Sequence, residues 1–171
     1  PPPPSAPPLL SFFAFAFFFF FFFRWRACAC PWVLLAAAAC FLLLVAGIDT
    51  TWSSIASNLL HLATNAEDRQ RLVDNPDLIP TAIEEFLRAY SPVTMARVAS
   101  EDTEISGCPV MAGDKVFLPF GASNRDPEMF DRPDEVVIDR QENRHFAFGI
   151  GIHRCLGSNL ARMELVVAME E

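Results

Sequence analysis

The sequence predicts a mainly α domain with small antiparallel β-sheets, carried by residues 41–171. Three observations predict it. Ile48, Trp52, Ile55, Leu59 and Leu62 recur at spacings of 4, 3, 4 and 3, the stripe of a buried helix. Ile79, Ile83, Phe86, Leu87 and Tyr90 share one face of a second helical run over residues 77–90. Between residues 95 and 119, short strand-like runs alternate with Gly and Pro turn signals, the pattern of small antiparallel sheets.

The 171 residues suffice for one domain with a real core. Formal net charge is −8, and residues 1–48 hold only Arg24 and Arg26 as charges, so the acidity lies in the rest. That balance argues against a nucleic-acid binder. Five cysteines, odd in number and scattered, do not form a secreted disulfide framework and point to a reducing, cytoplasmic compartment.

Residues 1–8 are nearly all proline, residues 12–23 contain ten phenylalanines, and Ala27 to Ile48 is almost wholly apolar after Arg24-Trp25-Arg26. This front is low in complexity and has no amphipathic period. Three readings compete. Residues 9–48 could anchor the chain, since Ala27 to Ile48 is long enough to span a bilayer. The front could be a cleaved targeting segment, though it lacks a basic start. It could be wrong-frame sequence joined to a genuine coding segment. The last is favoured, because a seven-phenylalanine run has no packing rationale and the apolar run flows straight into the first patterned helix. Residues 1–40 are therefore set apart as a Pro/Phe/Ala-rich segment. Cys28, Cys30 and Cys40 receive no role, since a CxC pair without partners is weak evidence for a metal.

Inside the first helix stands Ala46-Gly47-Ile48-Asp49-Thr50-Thr51. Glycine in a helix interior costs about 1 kcal/mol against alanine, so by itself the segment reads as a tolerated kink with a solvated Asp49. A short polar helix runs from Asn65 to Asn75 and ends before Pro76. The next helix runs from Asp77 to Tyr90, with Pro80 in its first turn and Pro92 after it. By periodicity Glu85 and Arg88 lie away from its apolar face, a solvent-exposed i,i+3 pair; Glu84 with Arg88 at i,i+4 serves as well. Met95 to Ala99, Glu101 to Gly107 and Lys115 to Pro119 are strand-like, with turns at Gly107, Pro109 and Ala112-Gly113-Asp114. A last helix is expected from Leu156 to Glu171.

Ahead of that helix lies His145-Phe146-Ala147-Phe148-Gly149-Ile150-Gly151-Ile152-His153-Arg154-Cys155-Leu156-Gly157. Gly149 and Gly151 permit backbone angles closed to other residues and let a flat group come close. Cys155 falls where a helix begins, and free N–H groups with the helix dipole favour an anionic sulfur there, the form that ligates metals. No second cysteine stands within ligand spacing, which disfavours a structural zinc site. One thiolate on a Gly-rich loop suits a cofactor that brings its own other ligands, such as haem.

Phe148-Gly149-x-Gly151-x-His153-x-Cys155-x-Gly157 resembles the haem-binding signature of the cytochrome P-450 monooxygenases at every fixed position. Glu85-Phe86-Leu87-Arg88 resembles the family's ExxR motif, which implies a buried pair that binds a further arginine, here Arg140, and holds the haem loop. The segment around Gly47 resembles the family's central helix, which opens locally over the haem; the resemblance carries Asp49 as the acid and Thr50 as the alcohol. Dioxygen activation needs two protons, and a hydroxyl backed by a carboxylate can relay them, with Gly47 leaving room beside the backbone. The resemblance further implies Arg97 and His153 as haem-propionate partners, a role that a guanidinium's fork suits. The turn-rich Asn124-Arg125-Asp126-Pro127 and Phe130-Asp131-Arg132-Pro133 resemble the meander before the haem loop.

The likeness covers residues 41–171, in wording closer to soluble bacterial members than to membrane-anchored ones. It implies the C-terminal part of the cytochrome P-450 fold, incomplete, since family members are much longer. The implied activity is that of a haem-thiolate monooxygenase, with haem b bound through Phe148, Gly149, His153, Cys155 and Gly157. Its iron ligand would be Cys155, and its substrate a small apolar organic molecule. Electrons would come from NAD(P)H through a reductase and a ferredoxin. Arg144, Arg154 and Arg162 could meet that acidic donor. Two other readings stand beside it. One is a truncated, catalytically inactive chain that does not retain haem and exposes apolar surface. The other is a peroxide-using relative, against which the Asp49-Thr50 pair argues.

Overall fold

The computed structural model describes residues 31–171. The readings of residues 1–30, the proline and phenylalanine runs and Cys28 and Cys30 among them, lie outside the described residues. Helix α1 is Pro31–Thr64. It is followed by α2 (Ala66–Asp74), a 3-10 turn (Pro76–Leu78) and α3 (Ile79–Ala89). Strands β1 (Thr94–Val98), β2 (Thr103–Ile105), β3 (Cys108–Val110) and β4 (Lys115–Pro119) come next. A short helix α4 (Phe120–Ser123), a 3-10 turn (Gly151–His153) and helix α5 (Ser158–Glu170) complete the order. The mainly α class with small antiparallel sheets is what the structure shows.

Helix α1 is one uninterrupted helix. No local opening occurs at Gly47, where the central-helix resemblance had implied one. The hydroxyl of Thr50 donates to the Ala46 carbonyl at 2.8 Å, and Ser54 does the same to Thr50 at 2.9 Å, so these polar groups are satisfied along the helix itself. Compact units divide between Val45 and Ala46. In the first, the described residues 31–45 are almost all exposed, and α1 as a whole is long and apolar enough to cross a membrane. The core helix of a soluble protein meets the same condition of length and composition.

The predicted buried stripe of α1 is corrected by the second unit. Ile48, Trp52 and Leu59 are exposed, Trp52 at 70%. The buried row is the polar one, Ser54, Asn58 and His61. It turns inward because His61 finds partners there. Its Nδ1 lies 2.7 Å from the Tyr90 hydroxyl and its Nε2 2.8 Å from Asp68 Oδ2, and its ring packs 5.1 Å from that of Phe86. His61 with its hydrogen bonds made carries little penalty, although Asn58 Nδ2 beside it has no partner among the described residues, so an apolar stripe need not decide which face goes in. Ile55 and Leu62 still pack at the edge of the core.

Helix α3 is the spine of that core, burying Ile79, Ala82, Ile83, Phe86 and Leu87 against Leu72, Ile138, Ala147 and Leu165. Strands β1 and β4 pair antiparallel, from Thr94 opposite Pro119 to Val98 opposite Lys115. Strands β2 and β3 form a hairpin in which Ile105 faces Cys108. Its two turn residues, Ser106 and Gly107, have φ of 50° and 82°, the left-handed pair that suits the twist of a two-residue hairpin.

Candidate haem-loop site

The site is built outward from α3. Periodicity placed Glu85 and Arg88 on a solvated face; the structure buries both, at 0% exposure. Every donor of Arg88 is used. Nε and Nη2 reach the two oxygens of Glu85 at 2.8 Å each. The remaining donors serve the carbonyls of Asn124 (2.8 Å), Pro133 (2.7 Å) and Glu135 (2.7 Å). Glu85 also accepts from the Val137 amide (2.8 Å), Arg140 Nε (2.9 Å) and Asn143 Nδ2 (3.0 Å). Burial alone would push the Glu85 carboxyl up, but the hydrogen bonds from Arg88, Val137 and Arg140 outweigh it and hold it below the usual carboxylate range. A buried charge pair is tolerated when all its hydrogen-bonding capacity is met, as here. Arg140 also donates to the Asp131 carbonyl at 2.6 Å. The irregular segment over residues 124–143 is thereby tied to one helix.

From that segment the chain enters the cysteine loop. The Phe146 amide donates to Asn124 Oδ1 at 2.6 Å, and Gly149 N to the Phe146 carbonyl at 2.8 Å. Gly149 and Gly151 take φ of 66° and 65°, the left-handed region where a Cβ is costly. The Cys155 amide donates to the Phe148 carbonyl at 2.9 Å, closing the loop. Helix α5 begins at Ser158 with Gly157 as its cap, so Cys155 stands just ahead of the cap, and the expected helical start at Leu156 is two residues early. A Cβ on Gly157 would lie 4.0 Å from the Cys155 sulfur, an ordinary contact.

Cys155 is exposed, and it sits among exposed apolar side chains, Ile150, Ile152 at 96% and Leu156 at 94%. Arg97 on β1 and His153 in the 3-10 turn are exposed as well. Among the described residues neither has a carboxylate partner, and Arg97 donates only to its neighbour Ala96 (2.9 Å). No cluster of three or more His, Cys, Asp or Glu could hold a metal ion among the described residues. A lone sulfur donor on an apolar surface, with an arginine and a histidine free of carboxylate partners in the same unit among the described residues, fits a flat, apolar, anionic-edged group that supplies the metal's other ligands; haem is such a group. Asp49 is exposed and Thr50 half-buried on α1. Among the described residues no hydrogen bond joins either of them to the loop.

The contact set of Glu84, His145 and Arg162 escaped the sequence reading, which paired Glu84 with Arg88 and offered Arg162 to a redox donor. Glu84, adjacent to Glu85, receives Arg162 Nη2 at 2.9 Å and His145 Nε2 at 2.9 Å. The Arg162 guanidinium lies 4.6 Å over the Phe148 ring. Arg162 is therefore engaged within the fold, which removes it from the arginines offered to a redox donor; Arg144 and Arg154 remain exposed. These contacts join residues 61 and 78 positions apart, beyond any local periodicity. The tandem acids Glu84-Glu85 were the one visible cue.

Comparison with known proteins shows the family. A family model described as Cytochrome P450 matches residues 68–171. The chain belongs to the cytochrome P450 family. It is 49% identical over 135 residues to the biotin biosynthesis cytochrome P450 of Bacillus subtilis, covering 78% of this chain and 34% of that one. It is 50% identical over 131 residues to putative cytochrome P450 126 of Mycobacterium tuberculosis, covering 76% and 32%. Among solved structures, cytochrome P450 PksS of Bacillus subtilis superposes with TM-score 0.74 at 44% identity, covering 76% of this chain and 34% of that one. P450BioI in complex with hexadec-9Z-enoic acid ligated acyl carrier protein does so with TM-score 0.74 at 48% identity, covering 76% and 34%. The chain thus spans about a third of the length of the relatives it matches.

Proposed function

We propose that this chain carries the haem-loop and oxygen-side elements of a haem-thiolate monooxygenase, which inserts one atom of dioxygen into a C–H bond of a small apolar organic substrate. The observation that carries this reading is the exposed Cys155 sulfur on an apolar surface, in the loop that follows the segment tied down by the fully paired Glu85–Arg88 charges. Haem b, held there by the Cys155 thiolate as its electron-donating ligand, would supply the dioxygen chemistry.

The remaining roles are those the family resemblance implies, and the residues' chemistry suits them. Phe148 and the glycines of the loop shape the face for a planar ring. Arg97 and His153 supply hydrogen-bond donors for its carboxylate edge. The Thr50 hydroxyl, which donates to Ala46, can exchange that bond for one to oxygen while Asp49 relays protons from solvent. Glu85, Arg88 and Arg140 act structurally, holding the loop. Electrons come from NAD(P)H through a reductase and a ferredoxin, with Arg144 and Arg154 as exposed cations for an acidic donor. The acyl chain in the P450BioI complex supports an apolar substrate class. The reducing, cytoplasmic setting rests on the cysteine pattern.

A second reading is a chain that folds in part and holds no haem. The exposed apolar surface of α1, Trp52 and Leu60 included, favours it. Haem titration separates the two. Saturation at one haem per chain, with a Soret shift that Cys155→Ser abolishes, is expected of the first. No specific uptake, or uptake indifferent to Cys155→Ser, overturns it.

A further inference from the structure

The tandem carboxylates of α3 serve different parts of the fold. Glu85 holds the segment over residues 124–143, as described above. Glu84 holds the cysteine loop and α5, and nothing in the signature or the charge lock assigns it a task. Its Oε2 receives both His145 Nε2 and Arg162 Nη2 at 2.9 Å, and its Oε1 receives Arg162 Nε. The Ala147 amide donates to His145 Nδ1 at 3.2 Å. Nε2 is the ring nitrogen that faces Glu84. Arg162, fixed by the fork of Glu84, lies 4.6 Å over Phe148, a cation–π distance. Phe148 in turn accepts the Cys155 amide at 2.9 Å. A continuous path thus runs from Glu84 through Arg162 and Phe148 to the backbone that presents the sulfur.

Burial by itself would raise the Glu84 carboxyl, but hydrogen bonds and charge from Arg162 and His145 bring it down to about 2. It is a fixed anion at any ordinary pH. Arg162 is correspondingly held in its charged form by Glu84.

We propose that Glu84 is a positioning residue for the Cys155 loop, acting by clamping the flat Arg162 guanidinium onto Phe148. The proposal rests on the haem-thiolate reading for its consequence but not for its geometry. A guanidinium is required because it can meet a carboxylate bidentately and lie flat on a ring at once; an ammonium can do only the first. Glutamine at 84 keeps the volume and loses the charge that orients Arg162.

Amide hydrogen exchange on the full chain tests this, comparing the unaltered protein with Glu84→Gln and with Arg162→Lys. Peptides covering residues 146–157 should exchange about tenfold faster in both variants, since a charged hydrogen-bond network is lost locally, while peptides of β1 and β4 keep their rates. Unchanged loop exchange in either variant overturns the proposal. So does acceleration by the same factor in β1 and β4, which would mark simple destabilisation. After haem loading, Glu84→Gln should also shrink the thiolate-type Soret band of the reduced carbon monoxide form. An intact band in that variant overturns the link to the sulfur. If the unaltered chain shows no such band, the haem-thiolate reading fails, and the exchange data alone decide the positioning claim.

Discussion

Arg88 and Glu85 face each other at 2.8 Å through two parallel hydrogen bonds, and neither side chain is reached by solvent. The pair sits where α3, the segment after α4 and the approach to the cysteine loop meet. Removing one partner leaves the other charge buried and alone. Arg88→Ala should therefore destabilise the chain by about 3–5 kcal/mol, read as a lower urea midpoint. Arg125→Ala removes a surface pair with Asp134 at 3.4 Å as well as a bond to the Ala89 carbonyl, and should cost about 1 kcal/mol.

Acid should loosen the chain through Glu84. Its carboxyl titrates at about 2 in the fold, against roughly 4.3 in an unfolded chain. A lowered folded value means that the unfolded state binds the proton more readily, so this stabilisation is complete above about pH 5 and is lost as pH falls toward 2. With partial solvent screening, about 2 kcal/mol is at stake. Urea midpoints measured from pH 6 down to pH 3 should fall more steeply for the unaltered chain than for Glu84→Gln, and parallel curves would count against the assignment.

Two glycine replacements should act in opposite directions. At Gly149 a Cβ finds ordinary contact with the Phe120 ring at 3.7 Å, but φ is 66°. The cost of Gly149→Ala is then backbone strain of about 1–2 kcal/mol. At Gly47 a Cβ meets nothing within 4 Å and the residue is helical. Gly47→Ala should stabilise α1 by about 0.5–1 kcal/mol. Thermal melts of the two variants give the comparison.

The proton-relay role of Thr50 predicts a functional loss without a structural one. Among the described residues its hydroxyl bonds only to the Ala46 carbonyl of its own helix, so Thr50→Ala should leave helicity and melting unchanged. In an enzyme of which this chain is a part, oxygen consumption should continue while product per oxygen falls severalfold. Unchanged coupling would remove Thr50 from the relay.

The limits of the sequence reading are physical. The cysteine loop was legible because its constraints are local: two left-handed glycines and a cap glycine beside the sulfur fall within nine residues of one another in the chain. Of the β2–β3 hairpin only the turn at Gly107 was legible; Pro109, read as a turn signal, lies in β3 opposite Glu104. The burial of Glu85 and Arg88 was not visible to periodicity, because their compensating partners lie in a segment without secondary structure. It was the family resemblance that implied it. Helix α1 misled because His61 finds two hydrogen-bond partners inside, so its polar row could turn toward the core while Trp52 stayed out. Glu84, His145 and Arg162 form a contact set that exists only after three distant segments meet.

The central claim is that the Cys155 sulfur is the iron ligand. The most direct measurement is the absorption spectrum of the haem-loaded chain, reduced under carbon monoxide, beside that of Cys155→Ser. A red-shifted Soret band in the unaltered chain that vanishes in the serine variant is the predicted result. A band that is absent from both, or that survives the substitution, would contradict it.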